Sequence, residues 1–493
     1  MTISFNNTPA NVRVPLFYAE VDNSQAGYFS QQNRTLLIGH KTVGASAVDN
    51  VPVLVSTTDQ ARAVFGLSSM LARMHEVYRA NDSFGEVWCL PVPPGAGAAA
   101  TGTITYTGPA SAAGAIAVYI GAQKVQAAVA GADTATAIAA SVAAAINADA
   151  TLPVTAASAL GVVTLTARHS GLVGNDIVVQ HNYRGVAGGE VLPTGVGAAI
   201  VAMAGGAGTP TLTAGLAALG DDEYDFIVSP FSDATALDAF KVLMNDNTGR
   251  WAWNRQIYGH VYAAQRGSFA ALQAAGILRN DQHATLAGVE STVPSTVWDY
   301  VAAYAARNAV FINADPARPT QTGELVGVLP AAGAGRFIQT ERQTLLSSGI
   351  ATSYTAGGAV RVERAITTYQ KNLWGQADPS YLDSETLHTL AFILRRLRSR
   401  ITNKYPRHKL ADDGTRFGAG QAIVTPSIIR GELIAEYADL EELGIAENAK
   451  AFRANLIVER NASDPNRLDV LLPPDLVNQL RVFAVLAQFR LQY

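Results

Sequence analysis

Charge is scarce in this chain. Charged residues make up 15% of its 493 residues, whereas an ordinary globular protein carries about a quarter. Hydrophobic residues reach 48%. A surface with so few charges either aggregates or is covered by partners; a large globular protein of ordinary packing is the plain alternative. No block of basic residues dominates and the formal net charge is −4, so nucleic-acid binding has no electrostatic footprint. The single Cys89 excludes an internal disulfide and suits a reducing cytosol. No run approaches the roughly 20 strongly apolar residues that span a bilayer. The nearest, 195–208, is short and mostly Ala and Gly. The opening MTISFNNTPANVRV lacks the layout of a signal peptide. The expectation is a soluble protein made in a cytoplasm, without membrane insertion.

Catalytic signatures are missing too. There is no G-x-x-x-x-G-K-[ST] phosphate cradle and no G-x-S-x-G elbow. GGAGTP and AGAGRF are rich in glycine but lack the strand-to-helix setting of a dinucleotide site, and they read as loops. His75-Glu76 has no second His at the zincin spacing, and the eight His are scattered. Asp225, His260 and Ser347 or Ser348 are the nominal members of a hydrolase triad, with nothing in their setting to recommend them. Neither a cofactor nor a metal is expected, and the chain does not read as an enzyme.

What is present is a succession of differently patterned segments. Val12, Val14, Leu16 and Tyr18 alternate with other residues as in a strand, and Pro15 places that strand at an edge. Such a strand pairs either with its own sheet or with another subunit. RTLLIG (34–39), a helical pattern over 59–80 and EVWCLPV form an α/β segment on the scale of half a Rossmann unit. After the linker PPGAGAAATG come several short strands and one Ala-rich helix, which suggest a β-rich, sandwich-like insertion over 96–190. The stretch 185–210 has few side chains to pack and reads as a loop. Strand and helix then alternate about every 20 residues from Leu212, ending on an expected strand, VFINAD (310–315). That alternation implies a mostly parallel sheet.

The last third holds two helical patterns of opposite sign. The first, at 384–404, carries Arg395, Arg396, Arg398, Arg400 and Lys404 opposite an apolar stripe. The second, at 427–443, carries Glu432, Glu436, Asp439 and Glu442. Helices of opposite sign are expected to face different neighbours, or simply to be solvated. In the closing run LRVFAVLAQFRLQY, Phe483, Val485, Phe489 and Leu491 fall on one apolar face of a strand. Such a face must be buried somewhere. A helix over 474–488 is the competing reading.

The stretch VERAITTYQKNLWGQADPSYLDSETLHTL (362–390) resembles the corresponding part of contractile phage tail sheath proteins, in the branch of Mu-like bacteriophages. RITNKYPRHKLADDG, SDPNRLDVLLPPDLVNQL and the opening NTPANVRVPLFYAEVDNS strengthen the likeness. It is most specific over 362–493, and the 101–183 insertion adds little to it.

The resemblance implies a multidomain α/β and α+β fold. Its parts would be an N-terminal arm (1–25), an α/β segment joining the core (26–95), the insertion (96–190), a non-catalytic subtilisin-like α/β domain (205–365), a C-terminal core (366–480) and a C-terminal arm (481–493). It implies a homo-oligomer of stacked, hexameric rings around a tail tube protein, with baseplate and terminator proteins at the ends. The assembly would form in the host cytoplasm and contract in the virion to drive the tube through the host envelope, without ATP. A sheath of a bacterial injection or bacteriocin machine has the same mechanics. The arms would add strands to sheets of neighbouring subunits. The basic helix is favoured as the grip on the tube, and the acidic helix is the alternative.

Overall fold

The computed structural model describes residues 33–418 and 420–491. The expected N-terminal strand at 12–18 lies outside them. β1 (Arg34–Gly39) is a run of apolar residues with five of six positions buried. After β2 (Val53–Leu54) come two helices, α1 (Thr58–Phe65) and α2 (Met70–Asn81). Thr57 and Ser69 cap them by accepting from the amides of Gln60 and Ala72, which satisfies donors that a helix start leaves bare. β3 (Glu86–Pro91) then pairs with β1 in parallel.

The chain leaves this sheet for the insertion: β4 (Ala99–Thr107), β5 (Gly114–Ile120), β6 (Gln123–Val129), α3 (Ala135–Ala148), β7 (Val154–Ala159), β8 (Val162–Ser170), β9 (Val179–His181) and β10 (Gly197–Ala204). They form a four-stranded sheet, β10-β4-β8-β7, and a three-stranded one, β6-β5-β9. The helix α3 packs on strands of both. The expected loop at 185–210 therefore contains a strand, β10, paired antiparallel to β4. Its Gly and Ala side chains give no periodic signal, and the backbone ladder alone defines it. Composition misleads at the linker for a related reason. A Cβ on Gly95 would lie 2.1 Å from the Thr209 carbonyl oxygen. Glycine here lets the entering and leaving strands touch backbone to backbone.

On its return the chain forms α4 (Thr213–Ala217), β11 (Phe226–Ser229), α5 (Ala234–Met244), β12 (His260–Gly267), α6 (Phe269–Ile277), β13 (Ala284–Glu290) and α7 (Val297–Ala314). The new strands join the old ones in one sheet of order β13-β12-β11-β1-β3-β2, parallel except for β2. β1, β2 and β3 are thus part of the same sheet as the strands of the middle region. All seven residues of β13 are buried, as expected of a parallel sheet covered on both faces. The expected strand VFINAD is instead the last turn of α7, closed by a bond from the Asp315 amide to the Phe311 carbonyl. A short apolar run reads alike as strand or buried helix; packing of α7 on α2 and on the sheet decides for helix.

After α8 (Gln339–Ser347), the hairpin β14 (Thr352–Ala356) and β15 (Ala359–Arg364) leads into the C-terminal unit. This consists of α9 (Ser384–Lys404), β16 (Lys409–Leu410), β17 (Ile423–Val424), α10 (Pro426–Glu442), α11 (Ala449–Asn455) and the hairpin β18 (Ile457–Arg460) with β19 (Leu468–Leu471). It has its own small core, in which Ile393, Leu433 and Leu440 surround Tyr437 stacked on Phe452. On α9, Ile393 is 1% exposed and points inward, while Leu394 is 38% exposed. Among the described residues no helix is long and apolar enough to cross a membrane.

Candidate assembly interface

The two helices of opposite sign face each other. Arg396 Nε donates to Glu436 Oε1 at 2.6 Å, and Arg400 Nη1 donates to Glu436 Oε2 at 2.6 Å and to Asp439 Oδ2 at 2.8 Å. Arg400 Nε reaches Glu432 at 3.2 Å, and Lys404 and the Tyr405 hydroxyl also bond Glu432. Arg396, Arg400 and Lys404 of α9 are thereby paired with Glu432, Glu436 and Asp439 of α10 along one seam. The expectation that they face different neighbours is corrected: opposite charges on sequential antiparallel elements find each other first. Burial works against the Arg400 charge, but its bonds to Glu436, Asp439 and Glu432 outweigh that and raise its pKa. Burial likewise opposes the Glu432 charge, and bonds from Lys404, Tyr405 and Arg400 overcome it and lower its pKa.

Arg395 points the other way, into the central domain. Its guanidinium meets Asp225 at 2.5 Å and Glu223 at 3.1 Å, and it lies over the Tyr258 ring at 5.6 Å. Burial pushes the Asp225 carboxyl up, opposed by Arg395. This pair rivets the C-terminal unit to the end of β11. Of the charges nominated for the tube, Arg398 and Glu442 are exposed and form no ion pair among the described residues. Arg407 and Lys409, in the connection after α9, are exposed as well.

The nominal triad does not assemble. Asp225 is held by Arg395 and by the Arg34 amide. His260 Nε2 lies 2.8 Å from the Thr285 hydroxyl. Ser347 and Ser348 return their hydroxyls to the carbonyls of Gln343 and Thr344, one turn back on their own helix.

The chain end is fastened and then released. Gln479 Nε2 donates to the Ala317 carbonyl at 2.9 Å, and Arg481 Nη2 donates to the fully buried Glu385 at 2.9 Å and to Asp383 at 3.3 Å. From Val482 to Leu491 no residue belongs to a helix or strand. Phe483 and Phe489 are each 82% exposed and Leu491 is 90% exposed; Val482, Val485 and Leu486 are exposed with them. Among the described residues neither the expected terminal strand nor the competing helix over 474–488 forms. So many uncovered apolar side chains on one short segment are unusual for a soluble surface. The apolar alternation of the segment was visible in the sequence; the anchor at Arg481 was not.

Comparison with known proteins gives the family. Residues 205–368 match the family model of the phage tail sheath protein central domain, and residues 376–490 match that of the phage tail sheath C-terminal domain. The Mu-like prophage FluMu tail sheath protein of Haemophilus influenzae is 40% identical over 494 residues, covering 99% of this chain and 100% of that one. The crystal structure of a sheath tail protein from Desulfitobacterium hafniense has the same overall fold, with a TM-score of 0.50 at 12% identity over 95% of this chain and 97% of that one. A sheath tail protein from Listeria innocua gives a TM-score of 0.48 at 13% identity, covering 92% of this chain and 93% of that one. The chain belongs to the phage tail sheath proteins, in the Mu-like branch.

Proposed function

We propose that copies of this chain polymerise as stacked, hexameric rings around an inner tail tube, between baseplate and terminator, and contract to drive the tube through a host envelope. The observation that carries the reading is the apolar segment 482–491, exposed beyond the Arg481 anchor. In this reading residues 483–491 add a strand to a sheet of a neighbouring copy, and the N-terminal strand at Val12–Tyr18 does the same. Main-chain bonds across such a junction hold two bodies together while allowing them to turn. The α9–α10 seam then serves as a rigid strut within each copy. The tube is met by the charges that the seam leaves over, Arg398 with Arg407 and Lys409, or Glu442 if the tube surface is basic. Polar contacts suit a grip that must be released.

The test is negative-stain electron microscopy of the full-length protein beside versions lacking residues 1–20 or 482–493. Helical tubes are expected from the full chain alone. Tubes of normal length from the version ending at Arg481 would refute the role given to the C-terminal arm.

A further inference from the structure

The insertion meets the central domain along the C-terminal ends of β1, β11 and β12. The two bodies share no strand. They are joined by the segments 92–98 and 205–211, which touch backbone to backbone at Gly95, Gly97 and Gly208. Apolar side chains continue from one body into the other as a single core. Two contacts across the junction keep their charge state at any pH below neutral. Gly121, at the turn between β5 and β6, fits against the Thr296 methyl, and the Tyr183 hydroxyl donates to the Pro330 carbonyl at 2.8 Å. Two others are made of groups that titrate, the ring pair of His40 and His169 and the approach of Asp176 to Arg266.

His40 directly follows β1 and is fully buried. Its Nδ1 donates to the Val92 carbonyl at 2.9 Å, which fixes the tautomer and leaves Nε2 a bare acceptor without a partner. Protonation would place a charged N–H where nothing accepts it. The ring faces Phe231 at 5.0 Å and His169 of β8 at 5.5 Å. His169 Nε2 is buried without a partner as well, so among the described residues no carboxylate bonds either ring. The other charges around them are engaged. Arg168 donates to the Leu152 carbonyl, Lys41 pairs with Asp49, and Asp233 accepts from the Ala236 amide at the start of α5. Arg266 donates to the carbonyls of Glu290, Val293 and Ser295, and its Nε lies 3.9 Å from Asp176. His40, Asp176, Phe231, Asp233 and Arg266 line a chamber of about 220 Å³, room enough for several waters to bring a proton in.

We propose that His40 and His169, one from each body, form an acid-sensitive latch that seats the insertion on the sheet while neutral and loosens it when charged. The latch lies within one copy and does not depend on polymerisation. Burial lowers His40 to about 4, and burial with the charges of His40 and Arg168 lowers His169 to about 3. A free imidazole titrates near about 6.5. The contribution of each ring is therefore complete above that value and is lost as pH falls towards the docked one. Asp176 has the opposite sign. Burial, opposed by Arg266, pushes its carboxyl up to about 6, so acid favours its docked form. At pH 5 His40 alone loses about 30-fold and Asp176 returns about 10-fold; the half-buried His169 adds to the loss, giving roughly 10-fold in all.

Amide hydrogen exchange of the full-length protein, kept too dilute to form tubes and corrected for intrinsic rates, tests the latch between pH 7.5 and pH 5. Protection over 40–46, 92–98 and 168–176 is expected to fall roughly 10-fold, while β13 and the β5–β6 hairpin keep theirs. His40→Asn, whose amide can still donate to the Val92 carbonyl, combined with His169→Gln should remove the fall. Asp176→Asn keeps both imidazoles and removes the opposing carboxyl, so the fall should deepen to roughly 100-fold. This second variant decides the matter even where the first fails to fold. No fall in the parent, or the same fall in the double histidine variant, would overturn the proposal. So would an equal fall in β13, which is general acid unfolding, or a shallower one in Asp176→Asn, which would give the response to the carboxyl.

Discussion

Replacing Glu436 by Gln keeps the shape of the α9–α10 seam and removes its central charge. Glu436 has a side chain 4% exposed, and it receives two bonds of 2.6 Å from Arg396 and Arg400, which are 21% and 26% exposed. Breaking a fully buried pair costs about 3–5 kcal/mol. Here the arginines can turn partly to water and the amide keeps one acceptor, so about 2 kcal/mol is the working figure. A multidomain chain gives no single unfolding free energy, so the assay must be local. Amide hydrogen exchange is expected to speed up about 30-fold in α9 and α10, with β12 and β13 unchanged. Arg398→Ala, at an exposed position without an ion pair, is the control and should stay within about 0.5 kcal/mol. Equal exchange in E436Q and the parent would refute the claim that the ladder holds the helices together. So would the same acceleration in the central sheet.

Three further expectations follow from named contacts. The folded-state pKa of Glu432 is lowered, so its contribution is present above the unfolded value of about 4.3 and is lost as pH falls through the folded value. Protection of the α9 and α10 amides, measured against their intrinsic exchange rates, should therefore fall below that pH, earlier than in the central domain. Gly95→Val would drive a side chain into the Thr209 carbonyl. It should cost about 1–3 kcal/mol, read as faster proteolysis at 92–98 and 205–210. Phe483→Asp with Phe489→Asp should abolish tube formation with an unchanged melting curve, because both rings are exposed in the single copy.

The parts of the fold legible in the sequence were those with a strong period or a strong cap. The runs RTLLIG and EVWCLPV and the Ala-rich helix of the insertion stand where their patterns put them. The period failed where side chains carry no information, as at β10, whose strand is written in Gly and Ala. It failed again where a short apolar run had two readings, as at 310–315, and long-range packing chose helix. That the first α/β segment and the middle one share a single sheet depends on β1 lying between β11 and β3. No local pattern reports such a neighbour.

At the candidate interface the sequence showed which segments are charged or apolar and did not show how they meet. Both charged helices were visible as charged, yet spacing along a chain does not say which faces meet. The apolar alternation of the last residues was visible as well. Its release from the surface after Arg481 depends on contacts with Asp383 and Glu385, a hundred residues earlier.

The most direct measurement is a cryo-electron microscopy reconstruction of the assembled polymer, traced through residues 482–491. The account predicts these residues as a strand bonded main chain to main chain with a sheet of a neighbouring copy, with Phe483 and Phe489 covered. A segment folded back on its own subunit, its side chains buried there while the copies are held by other surfaces, would contradict it.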